Sequence, residues 1–177
     1  MHRLVASLLI AAWLLVPLSG HAGGLSQPLI YFVRHAEKAG DDPKDPSLSA
    51  AGEQRARDLA TALVDAPPIA IFVSPYKRTQ LTAAPIASAV GVEPTIVPIN
   101  GDAQQYAQDV ANAIEVLAQD GPILVVGHGN TIPPLIAAFG ARAPEIGEQD
   151  YDRLFILRRW PDARVDLIQA RYGAPDR

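Results

Sequence analysis

The chain has no cysteine in 177 residues, which excludes a disulfide framework, a thiolate zinc site and a cysteine nucleophile. Histidine is nearly as scarce: it occurs at positions 2, 21, 35 and 128, with no two at helical spacing. No metal centre or other cofactor is therefore expected. Positive charge is in deficit, with 15 Lys and Arg against 19 Asp and Glu and a net charge of −4. No basic stripe is left for nucleic acid, which is not expected as a partner. Internal repeats and low-complexity linkers are also lacking, and 49% hydrophobic with 19% charged residues suits one compact domain with a real core.

The longest apolar run is N-terminal. Met1-His2-Arg3 carries a positive charge, residues 4–18 hold Ser7 as their one polar side chain, and Gly20-His21-Ala22 places small residues before a cleavage point. This pattern predicts a secretory signal peptide over residues 1–22 and a domain over 23–177. The run is shorter than the roughly 20 apolar residues that span a bilayer. Export to the periplasm or beyond, without stable membrane insertion of the mature chain, is the expectation; a retained anchor is the alternative.

Beyond it the chain alternates. Residues 29–33 (LIYFV), 69–73 (IAIFV) and 123–126 (ILVV) are near-continuous apolar runs, as strands buried on both faces require. Residues 95–99, bounded by Pro94 and with Pro98 inside, predict a weaker edge strand. Ser49 is a candidate N-cap for a helix carrying Ala56, Leu59, Ala60 and Leu63 on one face and ending before Pro67-Pro68. A second helix is expected from Ser74-Pro75 to about Val90, broken or restarted at Pro85. A third is expected over 103–119, and a short one through Phe139. Two late strands, 154–157 and 165–168, flank Pro161-Asp162, and Phe155 and Trp160 read there as packing residues. The order predicts a single three-layer α/β/α domain with a mostly parallel sheet.

Each central apolar run ends in polar residues that can do chemistry. Arg34-His35-Ala36-Glu37 follows the first, Ser74-Pro75-Tyr76-Lys77-Arg78-Thr79 the second and Gly127-His128-Gly129-Asn130 the fourth. A parallel sheet would bring Arg34, His35, Arg78 and His128 to one rim. Guanidinium forks match phosphate oxygens, and glycines allow backbone amides to approach an anion. A phosphoryl group is the occupant such a rim suits, since the cations would otherwise repel one another.

These three motifs, with Leu48-Ser49-Ala50-Ala51-Gly52 ahead of the first helix, resemble the signature of the histidine phosphatase (phosphoglycerate mutase-like) superfamily over most of residues 28–140. The resemblance implies that His35 is phosphorylated during turnover and that Arg34, Arg78 and His128 bind the phosphate, with no metal. It implies a phosphomonoesterase acting on a phosphorylated small molecule or, given the expected export, an envelope glycan phosphate. The acid that protonates the leaving group departs from the family pattern: Glu93 precedes the third strand, and Gly129 stands where one branch has an aspartate. Glu37 is the favoured candidate, its other reading being a salt bridge to Lys38 or Arg78, and Asp102 is the alternative. A phosphohistidine protein phosphatase and a non-catalytic phosphate or anion-binding protein remain as competing functions. Selectivity would reside in residues 38–48 and 140–153, where Tyr151-Asp152 could form a rim.

Overall fold

A computed structural model describes residues 28–117 and 121–176; the expected signal peptide, residues 1–22, lies outside them. Six strands form one sheet in the order β3-β2-β4-β1-β5-β6. Strands β1 (Leu29–Arg34), β2 (Ala70–Val73), β3 (Thr95–Ile96) and β4 (Ile123–Gly127) run parallel. β5 (Arg153–Arg159) and β6 (Val165–Arg171) add an antiparallel hairpin beside β1.

The unbroken apolar runs have a simple cause. Successive side chains of a strand point to opposite faces, and both faces are covered. Ile30, Phe32, Phe72, Ile123 and Val125 face a core built with helices α3 (Ala103–Glu115) and α4 (Ile132–Ala138). Tyr31, Val33, Ile71, Val73, Leu124 and Val126 face a second core with α1 (Ala50–Ala62) and α2 (Lys77–Val90). The result is the expected three-layer, mostly parallel α/β/α arrangement, with helix pairs on either side of the sheet. Among the described residues no helix is long and apolar enough to cross a membrane.

Three expectations about the elements change. Helix α2 continues through Pro85: the missing amide leaves the Leu81 carbonyl without its helical donor, on an exposed side of the helix where Leu81 itself is solvated. β3 stops at Ile96, because Pro94 and Pro98 lack the N–H a longer ladder needs, and Val97 supplies one last bond to the Val73 carbonyl at 2.9 Å. Helix α3 ends at Glu115 rather than running through 119.

Local chemistry sets the helix starts. Ser49 caps α1 by accepting from the Gly52 amide at 3.2 Å. Gly52 is required for a different reason: a Cβ there would stand 2.3 Å from the Glu37 carbonyl oxygen, so only glycine lets the loop after β1 lie against α1. No side chain of its own N-cap, Tyr76, serves α2. Asp45 reaches across from the 38–48 loop and accepts from the Lys77 amide at 2.9 Å, tying that loop to the Ser74–Thr79 segment.

Candidate active site

The carboxyl ends of β1, β2 and β4 deliver their motifs to one cavity of about 710 Å³. Arg34, His35, Arg78 and His128 line it, as expected from the sequence, and the segment after β3 adds a wall with Gly101, Asp102 and Tyr106. Ile146, Gly147 and Glu148 from the 140–150 loop close the other side.

The backbone of His35 is fixed from both neighbours. Its amide donates to the Gly127 carbonyl at 2.9 Å, extending the β1–β4 pairing, and the Ala36 amide donates to Thr82 Oγ1 at 2.9 Å on α2. His35 Nδ1 lies 2.8 Å from the Ala36 carbonyl oxygen. A carbonyl can only accept, so Nδ1 carries the proton and Nε2 keeps its lone pair. Burial, opposed by that backbone bond and assisted by the charges of Arg34 and Arg78, lowers the His35 pKa to about 4. The ring is neutral at pH 7, and its free Nε2 lone pair is chemically able to act as a nucleophile.

His128 stands edge-on to it, with ring centroids 5.3 Å apart. Its Nε2 is 2.9 Å from Ser74 Oγ, and Ser74 Oγ is 2.9 Å from Thr79 Oγ1. Burial and the nearby Arg78 charge lower its pKa to about 3.

A tyrosine ring supports each arginine: Arg34 lies 4.3 Å from the Tyr151 centroid and Arg78 4.2 Å from that of Tyr76. Arg34 Nη1 donates to the carbonyls of Gly147 at 2.7 Å and Glu148 at 2.8 Å. Among the described residues Arg78 makes no side-chain hydrogen bond; its one ionic contact is Asp45 at 3.8 Å, and burial holds its pKa below the usual arginine range. A guanidinium fork so placed is available to an oxyanion. No group of acidic or histidine side chains able to hold a metal occurs among the described residues.

The two carboxylates weighed from the sequence part company. Glu37, the favoured acid, is not on the cavity wall. Its carboxylate receives Arg55 Nε at 3.0 Å on both oxygens and Arg55 Nη2 at 2.7 Å, so its partner is Arg55 rather than Lys38 or Arg78. Asp102, the alternative, lines the cavity. It is also the N-cap of α3, accepting from the Gln104 and Gln105 amides at 3.0 and 2.9 Å, both on Oδ1, which leaves Oδ2 outside the cap. Phe155 is buried in the core, as expected, and Trp160, which does not line the cavity, has the guanidiniums of Arg158 and Arg164 over its ring. The sequence reading missed Ser74 and Thr79 as supports of His128, and Tyr76 as a support of Arg78. The SPYKRT motif contains all three, but nothing local marks their partners.

Comparison with known proteins finds the same fold. Residues 30–99 match the family model described as histidine phosphatase superfamily, branch 1. A mycobacterial glucosyl-3-phosphoglycerate phosphatase in complex with VO3 superposes with a TM-score of 0.65 at 18% identity, over 82% of this chain and 100% of that one. The protein histidine phosphatase SixA complexed with tungstate gives 0.62 at 18%, over 81% and 96%. YhfR of Bacillus stearothermophilus gives 0.62 at 18%, over 79% and 95%. Among curated proteins, the PE-PGRS family protein PE_PGRS11 of Mycobacterium tuberculosis is 39% identical over 85 residues, 43% of this chain. The chain spans only 15% of the length of that relative. The fold is that of the solved histidine phosphatases, and residues 30–99 are similar to the branch 1 model of that superfamily.

Proposed function

We propose that the chain is an exported, metal-independent phosphomonoesterase working through phospho-His35. The observation that carries this reading is the 2.8 Å contact of His35 Nδ1 with the Ala36 carbonyl, which commits the proton and leaves Nε2 to attack between Arg34 and Arg78. Nε2 bonds to phosphorus as the ester bond breaks, and the leaving oxygen takes a proton from the Asp102 carboxyl. Water then attacks phosphorus, gives its proton back to Asp102, and releases phosphate and the neutral imidazole. Arg34, Arg78 and His128 hold the equatorial oxygens and their developing charge, the work that phosphoryl transfer mainly demands of a protein.

The substrate proposed is a phosphorylated small molecule or an envelope sugar phosphate. Two observations support a small ester: the modest cavity volume, and a leaving-group wall that carries Asp102 and Tyr106 rather than further arginines. Export rests on the N-terminal pattern of residues 1–22. A binding-only protein is the competing reading, supported by the engagement of Asp102 Oδ1 as a helix cap.

The deciding experiment incubates the protein with a panel of phosphomonoesters and traps acid-labile phosphate on His35, with and without chelator. Phosphohistidine that forms and turns over in chelator is expected. Phosphate binding with no turnover of any ester would transfer the assignment to the binding protein, and loss of activity in chelator restored by a divalent ion would end the metal-free mechanism.

A further inference from the structure

The hydroxyls behind His128 form a chain in which every proton can be assigned. Thr79 Oγ1 lies 2.8 Å from the Tyr76 carbonyl and 3.0 Å from the Ser74 carbonyl. Carbonyl oxygens only accept, and unbridged oxygens at those distances would repel, so the single Thr79 proton is committed to them. The 2.9 Å bond between Ser74 Oγ and Thr79 Oγ1 must then use the Ser74 proton. With that proton spent, the 2.9 Å bond between Ser74 Oγ and His128 Nε2 can only be donated by Nε2–H. Ser74 and Thr79 are fully buried, so water does not compete for these bonds.

His128 is therefore the tautomer opposite to His35. His35 carries its proton on Nδ1 and His128 on Nε2. The remaining nitrogen of His128, Nδ1, has no partner among the described residues and is not among the enclosed polar atoms that lack one, so it opens on the cavity that the residue lines. As a neutral ring it presents a lone pair to whatever sits there. A lone pair repels a phosphoryl oxygen.

We propose that Ser74 and Thr79 are positioning residues that lock the His128 proton on Nε2, so that His128 can donate to a bound oxyanion only by taking up a second proton at Nδ1. This rests on the phosphate-pocket reading above. The proton enters from solvent with the anion and returns to solvent when it leaves, so no other reactant is needed. The groups that face His128 are the guanidiniums of Arg78 and Arg34, the His35 ring, and the edge-on Tyr76 ring at 5.4 Å; Lys38, Asp102 and Glu148 share the cavity wall. The near cations oppose the second proton when no anion is bound. A dianion among them reverses the sign of the local field. The pocket would then bind doubly charged oxyanions with a neutralising proton and resist neutral or singly charged ligands.

The test uses tungstate, a dianion that does not itself titrate near pH 7.5. Nitrogen-15 NMR of the histidines in the whole protein should show His128 as the Nε2–H tautomer alone and as imidazolium with tungstate. Calorimetry in buffers of different ionisation enthalpy should record uptake of about one proton, and this should persist in His35→Ala, which removes the other ring facing the anion. Ser74→Ala, and the near-isosteric Thr79→Val should the first fold poorly, frees the ring to move its proton to Nδ1, and uptake should fall to near zero. A free His128 with Nδ1–H, a ring that stays neutral with tungstate bound, or unchanged uptake in both variants overturns the inference. Failure of tungstate to bind overturns it together with the phosphate pocket. Tungstate binding with the expected signals but no turnover of any ester leaves it standing and removes only the phosphatase reading.

Discussion

Glu37 and Arg55 are joined by a two-pronged ion pair in which Arg55 Nε and Nη2 approach the carboxylate within 3.0 Å. Arg55 is buried, and its remaining donors go to the Tyr172 and Ala174 carbonyls and to Asp176. Asp176 in turn accepts from the amides of Tyr151 at 2.7 Å and Asp152 at 2.9 Å. One guanidinium thus ties the segment after His35 to the C-terminal residues and to the tyrosine under Arg34. Removing it strands two poorly solvated carboxylates. Arg55→Met is expected to cost about 3 kcal/mol of stability, read from chemical unfolding, since breaking a buried pair leaves its partners' charge uncompensated. A loss under about 1 kcal/mol would mean the pair is effectively solvated.

The same pairing separates the two candidate acids by experiment. Glu37→Gln keeps most of the shape and hydrogen bonding, so turnover should remain within about tenfold of wild type, with reduced stability. Asp102→Asn removes the carboxyl on the cavity wall and should slow hydrolysis of alkyl phosphates by about 10² to 10⁴, the usual worth of general acid catalysis. With p-nitrophenyl phosphate, whose leaving group needs little protonation, the loss should be much smaller. Equal losses on both esters would deny Asp102 the role of acid, and a large effect in Glu37→Gln alone would restore Glu37.

How much of this could be read from the chain followed the range of each interaction. Arg34, His35, Arg78 and His128 were legible because a charged motif at the end of an apolar run is a local pattern, and the parallel sheet does the rest. The partner of Glu37 is not legible in the sequence because it lies 18 residues away at a position beside, not within, the apolar stripe of Ala56 and Leu59; a helical arginine there looks solvent-facing until the C-terminal residues cover it. The Ser74 to His128 bond spans 54 residues, and its two ends carry no mark of each other. Pro85 was overweighted because the cost of an interior proline depends on whether the orphaned carbonyl meets solvent.

The two neutral histidines also make stability depend on pH. In the unfolded chain each ring titrates near 6.5; in the folded protein burial lowers His35 to about 4 and His128 to about 3. Between these values the unfolded state binds more protons than the folded state, so stability falls as pH drops below about 6.5. Between pH 6.5 and 5, before most carboxylates respond, the loss should be about 1.6 kcal/mol per ring, less than 1.36 kcal/mol per pH unit throughout because the unfolded ring is only half protonated at pH 6.5. Urea unfolding at the two pH values checks this, and His128→Ala should show a clearly shallower dependence. Identical slopes for wild type and variant would show that His128 titrates normally in the folded protein.

Replacing the cavity's basic groups one at a time should produce unequal losses. His35→Ala removes the atom that bonds to phosphorus, so no covalent route remains and activity should fall to background. His128→Ala leaves the nucleophile and its Ala36 contact intact and removes one group that steadies the transferring oxygens; losing such a preorganised donor costs about 10² to 10³ in rate. Arg78→Lys keeps a charge but loses both the fork and the plane that stacks 4.2 Å from the Tyr76 ring, so it should resemble His128→Ala more than His35→Ala. Circular dichroism would establish that each variant is folded, and single-turnover measurement of phosphohistidine would separate formation from breakdown of the intermediate. A folded His35→Ala protein that hydrolysed phosphomonoesters at the wild-type rate would mean that water, not His35, attacks phosphorus, and the arginines would then be serving a different reaction.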